Sequence, residues 1–450
     1  MVIINQDRCV YCGGCVSVCP EEALSLAETR LLVNENCIDC EDCVSACPVG
    51  ALQAESNQGP IDWEPIRKKY DVVVVGAGPG GSMAARTAAQ AGLSVLLLEK
   101  RQEIGSPVRC AEGIGHEQLV ALLEPDPCWI SAQVNQIEIT NVMEGDNEIR
   151  RVSGGHGDIL ERRVFDRALA EMAVGAGAEV RVKTAVTGFL KEGARIRGVT
   201  IEQGNYITGT EHVEIEAQIV IGADGIESQV GRWAGLNTQL ALKDTMVCIQ
   251  YLLAGVDIDP SCNCFTIDHR IAPGGYTWAF PKGEGKANVG LGVQADIWEA
   301  AAISTEDSGE QLVGNETVLG FLTQFIESDP RLAQGYPVTL VSGNVPVALS
   351  PGQMVTDGLM LVGDAARQVD PLTGGGIANA MTAGRMAAEV AVAAIEAGDT
   401  CEGFLSRYPE QWHRSAGRKL HRNYRLREKF PLDKRNDRRF VQAFMLAVGA

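Results

Sequence analysis

The sequence predicts a small cysteine-rich α+β domain fused to a Rossmann-like α/β domain, which carries an inserted antiparallel β-sheet and ends in a helical C-terminus. Three observations predict this. Asp71–Glu99 reads as strand, glycine turn, helix and strand. Eight of the 14 cysteines fall within the first 47 residues. Two blocks, Val134–Arg151 and Thr245–Val293, alternate polar and apolar residues as half-buried strands do.

In the first of these, Asp71–Val75 is a β-branched apolar run and therefore a buried strand. Gly76, Gly78 and Gly81 follow as G-x-G-x-x-G, with Gly80 in the same turn. The first glycine permits a tight turn and the second lets a pyrophosphate approach the backbone. The third lets helix pack on strand, with the helix N-terminus facing the phosphates. After an alanine-rich helical run, the strand Ser94–Leu98 ends at Glu99, placed for the ribose hydroxyls of an adenosine. The glycine motif alone is unspecific; with its strands, helix and terminal acid it predicts a bound dinucleotide.

The cysteines come in two runs of identical spacing. Cys9, Cys12, Cys15 and Cys19 precede Pro20, and Cys37, Cys40, Cys43 and Cys47 precede Pro48, each as C-x2-C-x2-C-x3-C-P. This is the pattern of bacterial two-cluster ferredoxins, in which the fourth cysteine of each run ligates the other cluster. Cys9, Cys12, Cys15 and Cys47 are therefore expected on one [4Fe–4S] cluster, and Cys37, Cys40, Cys43 and Cys19 on the second. A disulfide framework is disfavoured without a secretion signal, and zinc does not explain a duplicated four-cysteine run.

At 450 residues and 45% hydrophobic content the chain is long enough for two to four domains with cores. The boundaries read as 1–57 for the ferredoxin-like domain and 58–70 for a linker, marked by Asn57-Gln-Gly-Pro60. The nucleotide-binding domain is discontinuous, at 71–130, 158–235 and 345–400. The inserted sheet takes 131–157 and 236–344, and 401–450 is helical. A net charge of −19 argues against nucleic acid as a partner. No apolar run reaches the length of a membrane span and no signal pattern opens the chain, so a cytoplasmic protein is expected. A peripheral membrane contact stays open, because the last fifty residues hold 12 Lys/Arg against 5 Asp/Glu. Arg414–Arg439 and the apolar stretch after it read either as an interfacial helix on an anionic bilayer or as a solvated helix with a tail packed on the domain.

Further motifs follow in order. Gly105–Gly115 is a glycine-punctuated loop, and Glu161–Val180 a helix then a strand. Ile219–Ser228 is a strand ending in Asp224-Gly225. Leu359–Ile377 is a strand, Gly363-Asp364 and a glycine triplet that opens the helix Ala378–Ala397. On these residues the chain from 71 to 450 resembles the geranylgeranyl reductase family, flavoproteins of the p-hydroxybenzoate hydroxylase fold. The glycine turn, Asp224-Gly225 and Gly363-Asp364 belong to the whole superfamily and imply FAD. Pro273–Gly292 (PGGYTWAFPKGEGKANVGLG) and Arg109-Cys-Ala-Glu-Gly113 are narrower, and resemble most the archaeal-type digeranylgeranylglycerophospholipid reductases. The N-terminal cysteine module departs from the basic family pattern.

The resemblance implies FAD contacts. Gly80 falls in the phosphate turn and Glu99 on the adenosine ribose. Cys110, Ala111 and Gly113 line the flavin, Arg163 holds the phosphate or ribityl region, and Val186 meets adenine. Asp364 bonds the ribityl chain, and Gly376 and Ile377 offer N–H groups to the pyrimidine side of the ring. A helix N-terminus there stabilises anionic reduced flavin. A plain loop at Gly374–Gly376 and a surface ion pair for Arg163 are the competing readings. Tyr276, Trp278 and Phe280 alternate along a strand and share one face. They read either as an apolar wall for a polyprenyl chain or as sheet core.

The implied reaction is reduction of an isoprenoid C=C bond, by hydride from flavin plus a proton. Only one dinucleotide fingerprint is evident and FAD takes it, so the clusters are the expected electron inlet from an external low-potential donor. Cys110 is the candidate proton donor, with an inert buried thiol as its alternative; His116 is expected at the surface. Two other classes stay open: a protein like electron-transfer flavoprotein–quinone oxidoreductase, and a non-catalytic electron-transfer module.

Overall fold

A computed structural model gives the fold. It describes every residue except 1, 7, 28–29, 54–65, 144–145, 206–208, 298–316 and 450. The expected boundary at residue 57 and most of the linker 58–70 lie outside the described residues.

The N-terminal module repeats one plan twice. Ile3–Ile4 pairs with Leu52–Gln53 and Leu24–Ala27 with Arg30–Val33, both antiparallel. A one-turn helix, Gly14–Ser17 or Asp42–Ser45, follows the second cysteine of each run. Left-handed backbone recurs at matching positions, Tyr11 with Asp39 (φ 55° and 54°) and Gly13 with Glu41 (φ 76° and 65°), so the two loops have the same shape. The core holds little beyond Val2, Leu24, Leu31, Ala51, Leu52 and the buried cysteines. A module with so little apolar volume relies on metal staples.

The α/β domain is centred on the strand Lys69–Val75, which runs parallel to Val95–Leu98 on one side and Gly209–Gly222 on the other. Glu179–Arg181 and Leu359–Leu361 extend the parallel part. Val72–Val74 and Leu96–Leu98 are buried on both faces, which is why these strands read as unbroken apolar runs. The helices Pro79–Gln90 and Ile377–Ala397 cover the sheet and meet backbone to backbone: a Cβ on Gly384 would overlap the Gly80 carbonyl. Ala185–Glu192 and Arg195–Asn205 add an antiparallel meander to the far half of Gly209–Gly222.

The second sheet has eight strands among the described residues, in the order Tyr336–Pro346, Thr245–Ala254, Lys286–Gln294, Tyr276–Pro281, Cys262–Ile267, Ile130–Met143, Asp146–Leu160, Gly113–Gly115. Two features correct the sequence reading. Cys262–Ile267 pairs in parallel with Ile130–Met143, so the sheet is mixed. That junction joins two pieces of sheet made on either side of an α/β segment, and their edges meet in the same direction. The last strand, Gly113–Gly115, comes from the loop read as part of the nucleotide domain. It ties the cysteine loop to the sheet.

The C-terminal region is helical, with its two longest helices at Ala416–Lys429 and Arg438–Val448. Phe440, Val441, Phe444 and Met445 are buried, three of them against the aromatic face of the second sheet. The apolar face of this helix is therefore spent on the protein, and the interfacial-helix reading gives way to the packed one. Among the described residues no helix is long and apolar enough to cross a membrane.

Candidate functional site

The glycine turn is built as its sequence requires. A Cβ on Gly76 (φ 103°) would overlap the Ala223 carbonyl, and one on Gly81 the Gly76 carbonyl, whereas one on Gly78 would meet no protein atom within 4 Å. Gly76 and Gly81 are thus fixed by packing, while Gly78, with Gly80, lines a cavity of about 920 Å³ between the α/β domain and the second sheet. Glu99 sits behind the turn, its carboxylate accepting the Ala77 and Arg101 N–H groups at 3.0 Å each. Thr184 N–H donates to the Glu99 carbonyl, which sets the strand bearing Val186 beside the acid.

The loop carrying Cys110, Ala111 and Gly113 forms the cavity's centre. It is held by a buried polar cluster that sequence reasoning missed. Glu112 adopts φ 73° and is 4% exposed. Its carboxylate meets Lys282 Nζ at 2.8 Å and Asn288 Nδ2 at 2.6 Å, and takes the Arg162 N–H at 2.8 Å. Gln250 donates to the Cys110 carbonyl (2.8 Å) and accepts from Trp278 Nε1 (3.1 Å). Trp278 therefore has a polar duty as well as an apolar one: it orients the glutamine that fixes the cysteine loop.

The Cys110 thiol faces the cavity and takes the Glu112 N–H at 3.2 Å. Burial pushes it above the ordinary thiol range, opposed by the Arg162 guanidinium. Cys248, read as one of the scattered cysteines, lines the same cavity, and burial lifts it to about 12. Asp364 also faces the cavity; burial raises its carboxyl and Arg162 pulls it back. Gly374, Gly375, Gly376 and Ile377 line the cavity where the helix Ile377–Ala397 begins, so free N–H groups of its first turn point there. Tyr276, Trp278 and Phe280 form another wall with Phe265 and Phe444, and the Tyr276 hydroxyl bonds the Thr373 carbonyl beside the glycine triplet. The stripe is core and cavity wall at once.

Gly76, Gly81, Glu99, Arg163 and Val186 are not among the cavity's lining residues. Arg163 is exposed, its guanidinium 3.3 Å from Ser106 Oγ. Its neighbour Arg162 lines the cavity instead, paired with Asp166 at 2.7 and 2.8 Å. The signal was present: Arg162, Phe165, Asp166 and Leu169 share one helical face, and Arg163 lies off it. His116 is half-buried, 2.8 Å from an Asp158 that is wholly buried, and so is not a plain surface histidine.

In the N-terminal module the eight cysteines separate around two small cavities. Cys9, Cys12, Cys15 and Cys47 line one; Cys19, Cys37, Cys40 and Cys43 line the other. Each set surrounds a space rather than a point, and among the described residues no three His, Cys, Asp or Glu side chains are placed to grip a single ion. Ala23 N–H donates to Cys19 Sγ and Ala51 N–H to Cys47 Sγ, the same bond in each repeat. Burial and neighbouring thiols hold Cys43 up at about 11, as expected of crowded donors whose thiolate charge iron would compensate. The site fits four-iron clusters.

This architecture is that of a FAD-dependent oxidoreductase with a fused dicluster module. Family models agree along the chain: 4Fe-4S dicluster domain at residues 1–61, FAD dependent oxidoreductase at 71–269, and geranylgeranyl reductase catalytic domain at 244–345. The digeranylgeranylglycerophospholipid reductase of Methanosphaerula palustris is 44% identical over 81% of this chain and 87% of its own. That of Methanosarcina acetivorans is 48% identical over 77% and 81%. The crystal structure of a geranylgeranyl bacteriochlorophyll reductase-like protein from Thermoplasma acidophilum superposes with a TM-score of 0.71 at 41% identity, covering 80% of this chain and 87% of that one. A flavin-dependent brominase (TM-score 0.62, 18% identity, 85% of this chain and 93% of its own) shares the fold alone. The chain belongs to the digeranylgeranylglycerophospholipid reductases of the geranylgeranyl reductase family.

Proposed function

We propose that this protein saturates C=C bonds in the geranylgeranyl chains of a prenyl phospholipid, with electrons from an external low-potential donor entering through its own clusters. The observation that carries the reading is the single cavity that joins the glycine turn, the cysteine loop and the aromatic wall. When bound, FAD supplies hydride to the alkene, and the clusters supply single electrons.

Gly78, Gly80 and the N-terminus of the helix Pro79–Gln90 take the pyrophosphate, with Glu99 and Val186 on the adenosine side. Asp364 takes a ribityl hydroxyl, and Gly376 and Ile377 direct N–H groups at the flavin's pyrimidine edge. Cys110, Ala111 and Gly113 flank the ring. Arg162 is a better candidate than Arg163 for a cation at the cofactor, since it alone of the two lines the cavity. Tyr276, Trp278 and Phe280 hold the chain and exclude water. The Cys110 thiol, kept protonated by burial, delivers the proton to the second carbon of the bond. Cys9, Cys12, Cys15 and Cys47 hold one cluster; Cys37, Cys40, Cys43 and Cys19 hold the other.

Anaerobic incubation of reduced holoenzyme with a digeranylgeranylglycerol phospholipid should add one H2 per double bond, read by mass spectrometry. Unchanged lipid with reoxidised flavin in the presence of a quinone would favour the quinone-oxidoreductase alternative instead. The membrane contact is ascribed to the exposed face of Ala416–Lys429, with Arg418, Arg422, Arg425 and Lys429, and not to the apolar helix after it. Each cation gains roughly 1 kcal/mol near an anionic surface. Co-sedimentation with anionic vesicles should weaken with salt and with charge reversal of these four; equal binding to neutral vesicles contradicts it.

A further inference from the structure

Two arginines of the C-terminal region are buried side by side, and among the described residues the Asp244, Asp296 and Glu428 carboxylates act on them only from a distance. Arg427 and Arg435 are 3% and 6% exposed, and both line the cavity. Both donate to the same neutral atom, Gln294 Oε1, at 2.5 and 2.6 Å. Their other acceptors are the Lys243, Gly274 and Phe430 carbonyls and the Met246 sulfur. Among the described residues no carboxylate joins them directly; Asp296 is reached only through Gln294 Nε2, at 2.6 Å. Two guanidiniums on one oxygen repel each other, and burial plus that repulsion outweigh the pull of Asp296 and Glu428 and depress Arg435 to about 9. A buried pair of like charges is unfavourable unless an anion answers it.

The pair's position suggests which anion. Arg435 Nη1 donates to the carbonyl of Gly274, two residues before Tyr276, where the aromatic wall begins. Lys419, 3.9 Å from the Asp370 carboxylate, lines the same cavity. A molecule lying along that wall with one end at Tyr276 places this end against the arginines.

We propose that Arg427 and Arg435 form an anion subsite that takes the phosphate ester of the lipid substrate, while the aromatic wall takes its chains. This rests on the prenyl-phospholipid reading above. Guanidinium forks suit phosphate oxygens, and each such bond between ionised partners is charge-assisted. The structural alternative is that the pair only bolts the C-terminal helices to the second sheet.

The test compares holoenzyme turnover on a digeranylgeranylglycerol phosphate and on the same lipid without phosphate. Wild type should favour the phosphorylated lipid in kcat/KM by roughly ten- to hundredfold, the worth of a hydrogen bond to a charged group. Arg435→Gln should bring the ratio towards one while keeping FAD and turnover of the neutral lipid; Arg435→Lys should restore part of it. Equal kcat/KM for the two lipids in wild type, or an unchanged ratio in FAD-bound Arg435→Gln, overturns the subsite and leaves the reductase reading intact. Should Arg435→Gln not fold, competition in wild type decides. Glycerol phosphate inhibiting only the phosphorylated lipid supports the headgroup site, whereas inorganic phosphate inhibiting both lipids equally marks a free-phosphate site and overturns it. If neither lipid is reduced, the reductase reading itself fails; thermal stabilisation of wild type but not Arg435→Gln by glycerol phosphate then still supports the arginine site, and its absence removes it.

Discussion

At the scale of single residues the cavity is governed by burial. Cys110 sits with its thiol raised above the ordinary 9.0, burial outweighing the nearby Arg162. A group raised in this way stays protonated through neutral pH and loses its proton only above 9.0. If it is the proton donor, turnover should hold level up to that point and fall beyond it as the thiolate forms. Cys110→Ser should lower turnover by roughly 10²-fold or more with FAD still bound, and should remove the alkaline fall. The same alkaline limb in the serine variant would exclude the thiol. The residues around Cys110 show what the sequence hid. Cys110 itself stood out in a glycine-punctuated loop that also holds Glu112, but Lys282 and Asn288 come from Pro273–Gly292 and Gln250 from the strand Thr245–Ala254. Only tertiary structure brings them together, and a lone charged or amide residue has no local pattern to betray it.

At the scale of elements, legibility followed periodicity and spacing. The strand Lys69–Val75, the glycine turn and the helices Arg162–Gly175 and Ile377–Ala397 were readable because local pattern and fold agree. Spacing also grouped the eight cysteines, including the exchange of the fourth between runs. The apolar stretch after Arg439 was ambiguous because an amphipathic helix carries the same pattern whether its partner is a bilayer or a sheet; Phe444 against Tyr276 and Phe265 decides it. The parallel junction at Cys262–Ile267 was illegible, since alternation gives a strand's faces but not its neighbour. For the N-terminal module, replacing Cys43 with Ser should cost one cluster while FAD stays bound. Donor-driven turnover should collapse, and dithionite-reduced enzyme should keep reducing lipid. Unchanged donor-driven turnover would show that the module is not the inlet.

At the scale of the whole molecule, the chain joins a 4Fe-4S dicluster domain, proposed above as the electron inlet, to a FAD domain and a sheet whose aromatic face closes the cavity. Its own residues contribute an apolar wall, a fixed cysteine loop and a helix N-terminus, each aimed into one space. The reading therefore stands or falls on whether an unsaturated prenyl lipid draws electrons from the reduced protein. Anaerobic stopped-flow mixing of fully reduced holoenzyme with digeranylgeranylglycerol phospholipid and with its fully saturated, diphytanyl counterpart tests this most directly. Flavin absorbance should recover with the unsaturated lipid only. Recovery with quinone but not with the unsaturated lipid, or equal recovery with both lipids, would contradict the account.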